Sequence, residues 1–196
     1  MTRPVIVSIL VAAAALAGCR RASEFDGRHY RHNGMHFALE VPAGWTHEEL
    51  PGDVLLELRG PAPTSADGLK SREAALGVRP MVHVFSRREE AAVDLDRVAR
   101  ELQALMLEER RFDPAQAQAA PEATAAAVKS ETGEVRGLPA RRFERTVHEG
   151  AAVIHQKLLV LAKGDQAWAL LVSVPEASRE SSAAAVEQIE KSFEVW

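Results

Sequence analysis

The sequence predicts an α+β domain: a mostly antiparallel sheet of about seven or eight strands flanked by two main helices, stacked as a helix–sheet–helix sandwich. Three observations predict it. Turn signals at Asn33-Gly34, Glu149-Gly150 and Gly164-Asp165 separate runs of strand-like residues, and short loops of this kind join antiparallel neighbours. Apolar residues recur at helical spacing in two stretches, 94–111 and 179–193. The segments near 153–162 and 166–174 are apolar on both faces, and a strand pair of that kind needs a cover on each side.

The chain opens Met1-Thr2-Arg3-Pro4 and runs from Val5 to Ala17 without a charge, ending in small residues. A positive start, an apolar stretch and a small-residue end form the pattern of a secretory signal. The uncharged run from Pro4 to Cys19 is shorter than the roughly 20 apolar residues that a bilayer-spanning helix needs, and Arg20-Arg21 follow at once. Leu16-Ala17-Gly18-Cys19 resembles the lipobox of bacterial lipoproteins. The resemblance implies diacylglycerol transfer to the Cys19 sulfur, cleavage between Gly18 and Cys19, and further acylation, with palmitate as an expected chain. Residues 1–18 are then a lipoprotein signal peptide, 19–28 a lipidated cysteine with a polar tether, and 29–196 a single domain. Arg20 stands where an Asp commonly retains such proteins at the inner membrane. The expected place is therefore the extracytoplasmic cell envelope, at the outer membrane facing the periplasm in a Gram-negative cell.

Composition fits this outline. Hydrophobic residues are 46% and charged residues 27% of 196, as in a globular domain and unlike a disordered chain. A formal charge of −4 offers no basic footprint for nucleic acid. One cysteine makes no internal disulfide, and once acylated it leaves no thiol for a nucleophile or a metal.

The domain opens with a hairpin. A two-residue Asn33-Gly34 loop sets Tyr30 opposite Phe37, with Phe37, Leu39 and Val41 on one face. Pro42-Ala43-Gly44-Trp45 then turns the chain. Val54–Arg59 and Met81–Ser86 are strands, separated by a Pro/Gly-rich connection over 60–80 with one helical turn around 72–76. Asp94–Arg111 is an amphipathic helix with Asp94 as N-cap. Residues 112–124 are a low-complexity Ala/Gln/Pro loop. Strands follow near 125–135, 140–148, 153–162 and 166–174, with turns at Gly137, Glu149-Gly150 and Gly164-Asp165. A two-residue Gly164-Asp165 loop puts Leu159 and Leu161 on a face with Trp168 and Leu170, and Leu158 and Val160 on the other with Ala169 and Leu171. A final helix, Arg179–Phe193, is capped by Ser178 and turns Val186, Ile189 and Phe193 inward.

This order of elements resembles the PsbP-like superfamily, which includes bacterial lipoproteins of the DcrB and LpqN type and photosystem II extrinsic subunits. The likeness rests on the opening hairpin running into Val41-Pro42-Ala43-Gly44-Trp45, on Gly137-Leu138-Pro139-Ala140 leading into a long meander, and on the closing Ile189-Glu190-Lys191-Ser192-Phe193. It spans about 29–196. It implies an antiparallel sheet flanked by helices and binding or assembly roles without a shared active site.

Motifs for chemistry are sparse. There is no HExxH and no GxSxG elbow, and the glycines are scattered at turns instead of forming a phosphate loop. Of seven histidines, His29 and His36 come nearest to one another in the expected hairpin. Two imidazoles hold a divalent ion only weakly, with Arg31 between them as a repelling charge, so solvent-facing strand residues are the favoured reading. A Glu144–His155 cross-strand contact depends on register. Glu48-Glu49, Glu89-Glu90 and Glu108-Glu109 read as solvated faces. Arg141, Arg142 and Arg145 are the candidate contact for an anionic partner, although arginines on an exposed strand also keep an edge from pairing with another chain. Trp45 and Trp168 read as packing residues and Trp196 as a plug or an exposed contact. With no catalytic set, cofactor or metal expected, the sequence points to a non-catalytic binding or assembly module. It would be held to the membrane through Cys19 and partnered by an envelope protein. The alternatives are a carrier of a small hydrophobic or lipidic ligand, roofed by the 60–80 loop, and an envelope hydrolase with an unrecognised site.

Overall fold

The Gly164-Asp165 turn closes the hairpin at the middle of the larger sheet. Gly164 sits at φ +61°, which a two-residue hairpin loop requires and glycine adopts without strain. The computed structural model describes residues 22–62, 78–108, 128–149 and 152–196. Strands β9 (Ala152–Lys163) and β10 (Gln166–Pro175) run from this turn, with Leu161 paired to Trp168 and Leu158 to Leu171. Both faces of the pair are apolar, and both are buried.

Around this pair the described residues form two antiparallel sheets. The larger has the order β4-β5-β6-β10-β9-β8-β7, with β4 Thr46–Glu49, β5 Val54–Arg59, β6 Met81–Arg88, β7 Lys129–Val135 and β8 Leu138–Glu149. The smaller has the order β1-β2-β3-β11, with β1 Ser23–Phe25, β2 His29–His32, β3 Phe37–Glu40 and β11 Glu194–Val195. Helix α1 (Leu95–Glu108) covers one face of the large sheet. Its Val98 and Ala99 pack on Phe85, Leu158, Val160, Ala169 and Leu171. The small sheet and helix α2 (Arg179–Ser192) cover the other face. Tyr30, Phe37, Leu39, Val186, Ile189 and Phe193 pack there against Leu56, Val84, Trp168 and Leu170. The α+β sandwich expected from sequence is therefore present, with the opening hairpin promoted to a sheet of its own.

Several local differences have physical causes. The β2–β3 loop is not Asn33-Gly34 but the four residues 33–36, and Tyr30 pairs with Leu39 while Phe37 pairs with His32. The Asn33 N–H donates to the Ala22 carbonyl at 2.8 Å, so the β1 side of the small sheet also anchors the start of this longer turn. The slip is two residues, and side chains alternate with period two, so Tyr30, Phe37 and Leu39 keep the buried face. The longer loop carries Met35 over the large sheet, where its carbonyl accepts the Trp168 indole N–H at 2.6 Å and the Gln166 amide at 2.9 Å.

Strand β1 lies inside the stretch expected to be tether. The Asp26 carboxylate accepts the N–H groups of Arg28 and His29 at 2.9 and 2.6 Å and turns β1 back onto β2. Arg136-Gly137 forms the β7–β8 loop with φ of +53° and +77°. The arginine is held there by the Lys191 carbonyl at 2.6 Å and by Glu194 at 2.7 Å.

Asp94 caps α1 as expected, accepting the Arg97 N–H at 3.0 Å. Ser178 precedes α2, but its side chain makes no capping bond. A 3₁₀ turn over Glu176–Ser178 leads into the helix, which leaves the hydroxyl buried while the Ser178 carbonyl accepts from Ser182 at 2.6 Å. The expected helical turn at 72–76 and the 112–124 loop lie outside the described residues.

Because the two faces share no packing partners, Leu158→Ala and Leu170→Ala should each lower the unfolding free energy by about 2–5 kcal/mol. The double variant should lose close to their sum. Urea denaturation checks both statements.

Candidate functional site

Strand alternation decides where the β8 arginines go. Arg141, Phe143 and Arg145 point to the α1 face, and Arg142 points to the opposite face. Arg141 Nε lies 2.6 Å from Asp96 Oδ1 on α1, and this bond holds the Asp96 carboxyl below its usual range. Arg145 is buried and donates to Gln156 Oε1 at 2.7 Å. Arg142 is exposed and stands opposite Glu131 of β7. The three arginines thus do not converge into one anionic-partner contact. Two are committed within the fold, and Arg142 alone of the three is left on the surface.

The histidines separate too. With the longer loop, His36 lies in the turn and not opposite Arg31. Its Nδ1 is 3.3 Å from Gln166 Oε1, and its ring faces Trp196. His29 pairs with Glu40 of β3 and sits between the carboxylates of Asp26 at 3.0 Å and Glu40 at 3.5 Å. Among the described residues no group of three His, Cys, Asp or Glu side chains could hold a metal ion. Gly18 and Cys19 lie outside the described residues. Trp45 and Trp168 are buried as expected, while Trp196 is half-buried under the Arg31 guanidinium, which lies 4.1 Å from its ring centre.

Glu144 pairs with Lys157, and His155 pairs with Thr146. The Thr146 hydroxyl is 3.3 Å from His155 Nδ1, and His155 Nε2 contacts the Glu176 carboxylate. A hydroxyl, an imidazole and a carboxylate in series can relay a proton. Here Glu176 is 53% exposed, so water competes for each bond, and the series ties β9 to the 3₁₀ turn.

The more coherent feature is a polar band that sequence reading missed. Pairing aligns Thr46, Arg59, Met81, Ser173, Gln156 and Arg145 across six strands on the α1 face. Next to it run Glu48, Glu57 and His83, before the apolar residues under α1 begin. Gln156 passes the Arg145 bond on to Ser173 Oγ at 3.1 Å. At the other end buried Glu57 receives His83 Nε2 at 2.9 Å and contacts Arg59, which also reaches Glu48 at 3.0 Å. His83 Nδ1 is buried without a partner. Arg59 is matched by Glu57 and Glu48 at the exposed β4–β5 end, and Arg145 is bonded by Gln156 at the buried end, so polar bonds hold the band at both sides of the sheet. The signal for it is slight: Met81 and His83 share a face with Phe85 by alternation, and Glu57 interrupts the apolar run from Val54 to Leu58. Register alone links them to Gln156 and Ser173.

A surface hollow of about 410 Å³ lies between α2 and β3, lined by Glu40, Ala184, Glu187, Gln188, Lys191 and Ser192. It is shallow and open, and its rim carries Glu40, Glu187 and Lys191. Bonds from Gln188 and Arg28 hold the Glu40 carboxyl below its usual range.

No protein-family model and no curated protein matches the sequence. Solved structures do match its fold. The solution structure of cyanobacterial PsbP (CyanoP) from Synechocystis sp. PCC 6803 aligns with a TM-score of 0.58 at 15% identity, over 86% of this chain and 92% of that one. The fold is PsbP-like. LpqN of Mycobacterium tuberculosis, described as involved in cell envelope biogenesis, aligns with a TM-score of 0.51 at 11% identity, over 81% and 82%. A Bacteroides thetaiotaomicron protein gives 0.50 at 12% identity, over 88% of this chain and 49% of its own. At such identities the PsbP-like likeness concerns architecture, and the side chains described above are this chain's own.

Two outcomes follow. Glu57→Ala leaves the His83 ring without a bond at either nitrogen and should cost about 1–3 kcal/mol of stability, read by urea denaturation. The Asp26 carboxyl is held at about 2 instead of 3.8, first by the His29 N–H and then by the Arg28 N–H. Folding favours its ionised form, so this contribution is complete above about pH 4 and vanishes as the pH falls through about 2. The stability gap between the parent and Asp26→Asn should close over that window, as acid-range denaturation would show.

Proposed function

We propose that the chain is a lipid-anchored, non-catalytic binding or assembly module of the cell envelope. The observation that carries this reading is a spacing. The lipobox-like Leu16-Ala17-Gly18-Cys19 ends four residues before β1 begins at Ser23. Four extended residues reach about 14 Å, so a lipidated Cys19 holds the PsbP-like domain against the membrane surface, closer than a nine-residue tether would. Two or three acyl chains hold a protein stably where a single chain does not. The Arg20-Arg21 pair adds attraction to anionic headgroups.

The envelope role is supported by the description of LpqN as a protein of cell envelope biogenesis. The non-catalytic part of the reading is supported by the Thr146–His155–Glu176 series, which lies open to water and serves to tie β9 to the 3₁₀ turn. Arg141 and Arg145 are spent on holding the fold, so Arg142 is the one of the three left on the surface for a partner. In this reading the membrane is engaged through Cys19 and a second envelope protein is engaged by the exposed surface. The outer membrane facing the periplasm is its place in a Gram-negative cell.

Mass spectrometry of the protein from its native host tests the anchor. The expected N-terminal peptide begins at a Cys19 carrying a diacylglycerol and fatty acid. Cys19→Ala should keep residues 1–18 and lose the lipid. A parent protein that retains its first eighteen residues and a bare thiol would overturn the proposal. Crosslinking from the anchored protein should enrich one envelope protein above the membrane background.

A further inference from the structure

The far edge of the large sheet is unlike its other edge. Strand β4 at one end meets the small sheet, with the Phe25 ring of β1 tilted against His47 at 4.1 Å between centres and Ser23 bonded to Glu49. Strand β7 at the opposite end is exposed along its length apart from half-buried Val135, and among the described residues only β8 pairs with it. It has seven residues, with no proline and no bulge. An edge whose outward N–H and C=O groups meet no strand among the described residues is a template for another strand.

We propose that β7 is a self-pairing edge, through which two copies of this chain join antiparallel about Thr132 and double the seven-stranded sheet. The β7–β8 loop has two residues, so Val135 and Leu138 form its hydrogen-bonded closing pair. Backbone groups of 135, 133, 131 and 129 therefore face β8, and those of Ser130, Thr132 and Glu134 face outward. Twofold pairing about Thr132 joins these outward groups through about six N–H···O bonds. It also overlaps the full seven residues.

The side chains agree with that register. Thr132 meets its symmetry mate, Ser130 meets Glu134, Lys129 meets Val135, and Glu131 meets Gly133. No like charges stand directly opposite, and hydroxyls face a hydroxyl or a carboxylate, which are favourable cross-strand pairs. Within each strand Lys129 already neutralises Glu131 at 2.8 Å. A register centred on Glu131 would instead oppose two carboxylates and lose overlap. A twofold axis normal to the sheet keeps both small sheets on the same side. The β1 strands of both copies then lie on the same side of the doubled sheet, and the pairing does not depend on the anchor.

The test uses the full chain in its native membranes. In the proposed pair the Thr132 Cα atoms lie about 5.5 Å apart, within the range a disulfide spans. Under mild oxidation Thr132→Cys should give a linked dimer on a non-reducing gel. Glu180→Cys, exposed on α2, should stay at the level of the parent, whose only thiol is Cys19. Crosslinking of the parent itself reports a bare Cys19 and counts against the anchor, not the pairing. Thr132→Pro removes an outward N–H and leaves the β8 ladder intact. Light scattering of detergent-purified protein should show a dimer for the parent and a monomer for Thr132→Pro, with the variant's unfolding midpoint matching that of the parent at dilutions where the parent dissociates. Crosslinking at 132 no stronger than at 180, or a parent that stays monomeric across the micromolar range, overturns the proposal.

Discussion

The architecture depends on one constraint: the β9–β10 hairpin is apolar on both faces and cannot leave either one in water. Fully burying a Leu, Val or Phe side chain contributes about 1.5–3 kcal/mol, and this hairpin carries such residues along both sides. One face recruits α1. The other recruits α2 together with the four-stranded sheet, and Trp168 is the central residue of that contact. Trp168 also brings a polar group that must be satisfied once buried. The Met35 carbonyl supplies the partner, and so the β2–β3 loop is drawn over the large sheet. The short strand β11 then adds to β3 and brings the end of the chain beside the same loop.

The same economy explains the charged residues. The α1 face is apolar only where the helix lies on it. Beyond the helix the rows change to Arg, Gln, Ser, His and Glu, and each charge is met within the sheet or by α1. A buried ionic row of this kind contributes little net stability, yet removing one member leaves the others unpaired. It favours a single register across six strands. In the proposed role this matters, because a rigid sheet presents its edges and exposed surface in a fixed geometry at a short distance from the membrane.

Much of the fold was legible from the residues because two-sided apolar strands and glycine turns leave few alternatives. The β9–β10 register, the β5 boundaries, the Asp94 cap and the Val186, Ile189, Phe193 stripe belong to that class. What was not legible depends on partners far along the chain. Asn33-Gly34 looks like a complete hairpin loop, but the loop runs on to His36 and the Met35 carbonyl meets Trp168 and Gln166 far along the chain. Ser-Glu-Phe at 23–25 has no pattern of its own and becomes a strand because Asp26 folds it back on β2. Arg145 reads as an exposed strand arginine, and its burial is decided by Gln156 on the next strand. The polar band was hidden for the same reason, since no spacing within one segment joins His83 to Gln156. The lipobox-like stretch at 16–19 is the reverse case: it stands out in the sequence and lies outside the described residues.

Native-state hydrogen exchange tests the governing constraint most directly. If β9 and β10 hold both layers together, their amides exchange only through global unfolding and are the slowest in the protein. The amides of β1 and β2 should open at lower free energy. Amides of β9 and β10 that exchange as fast as those of β1 and β2 would contradict the account, because the central hairpin would then not be what the two layers are built on.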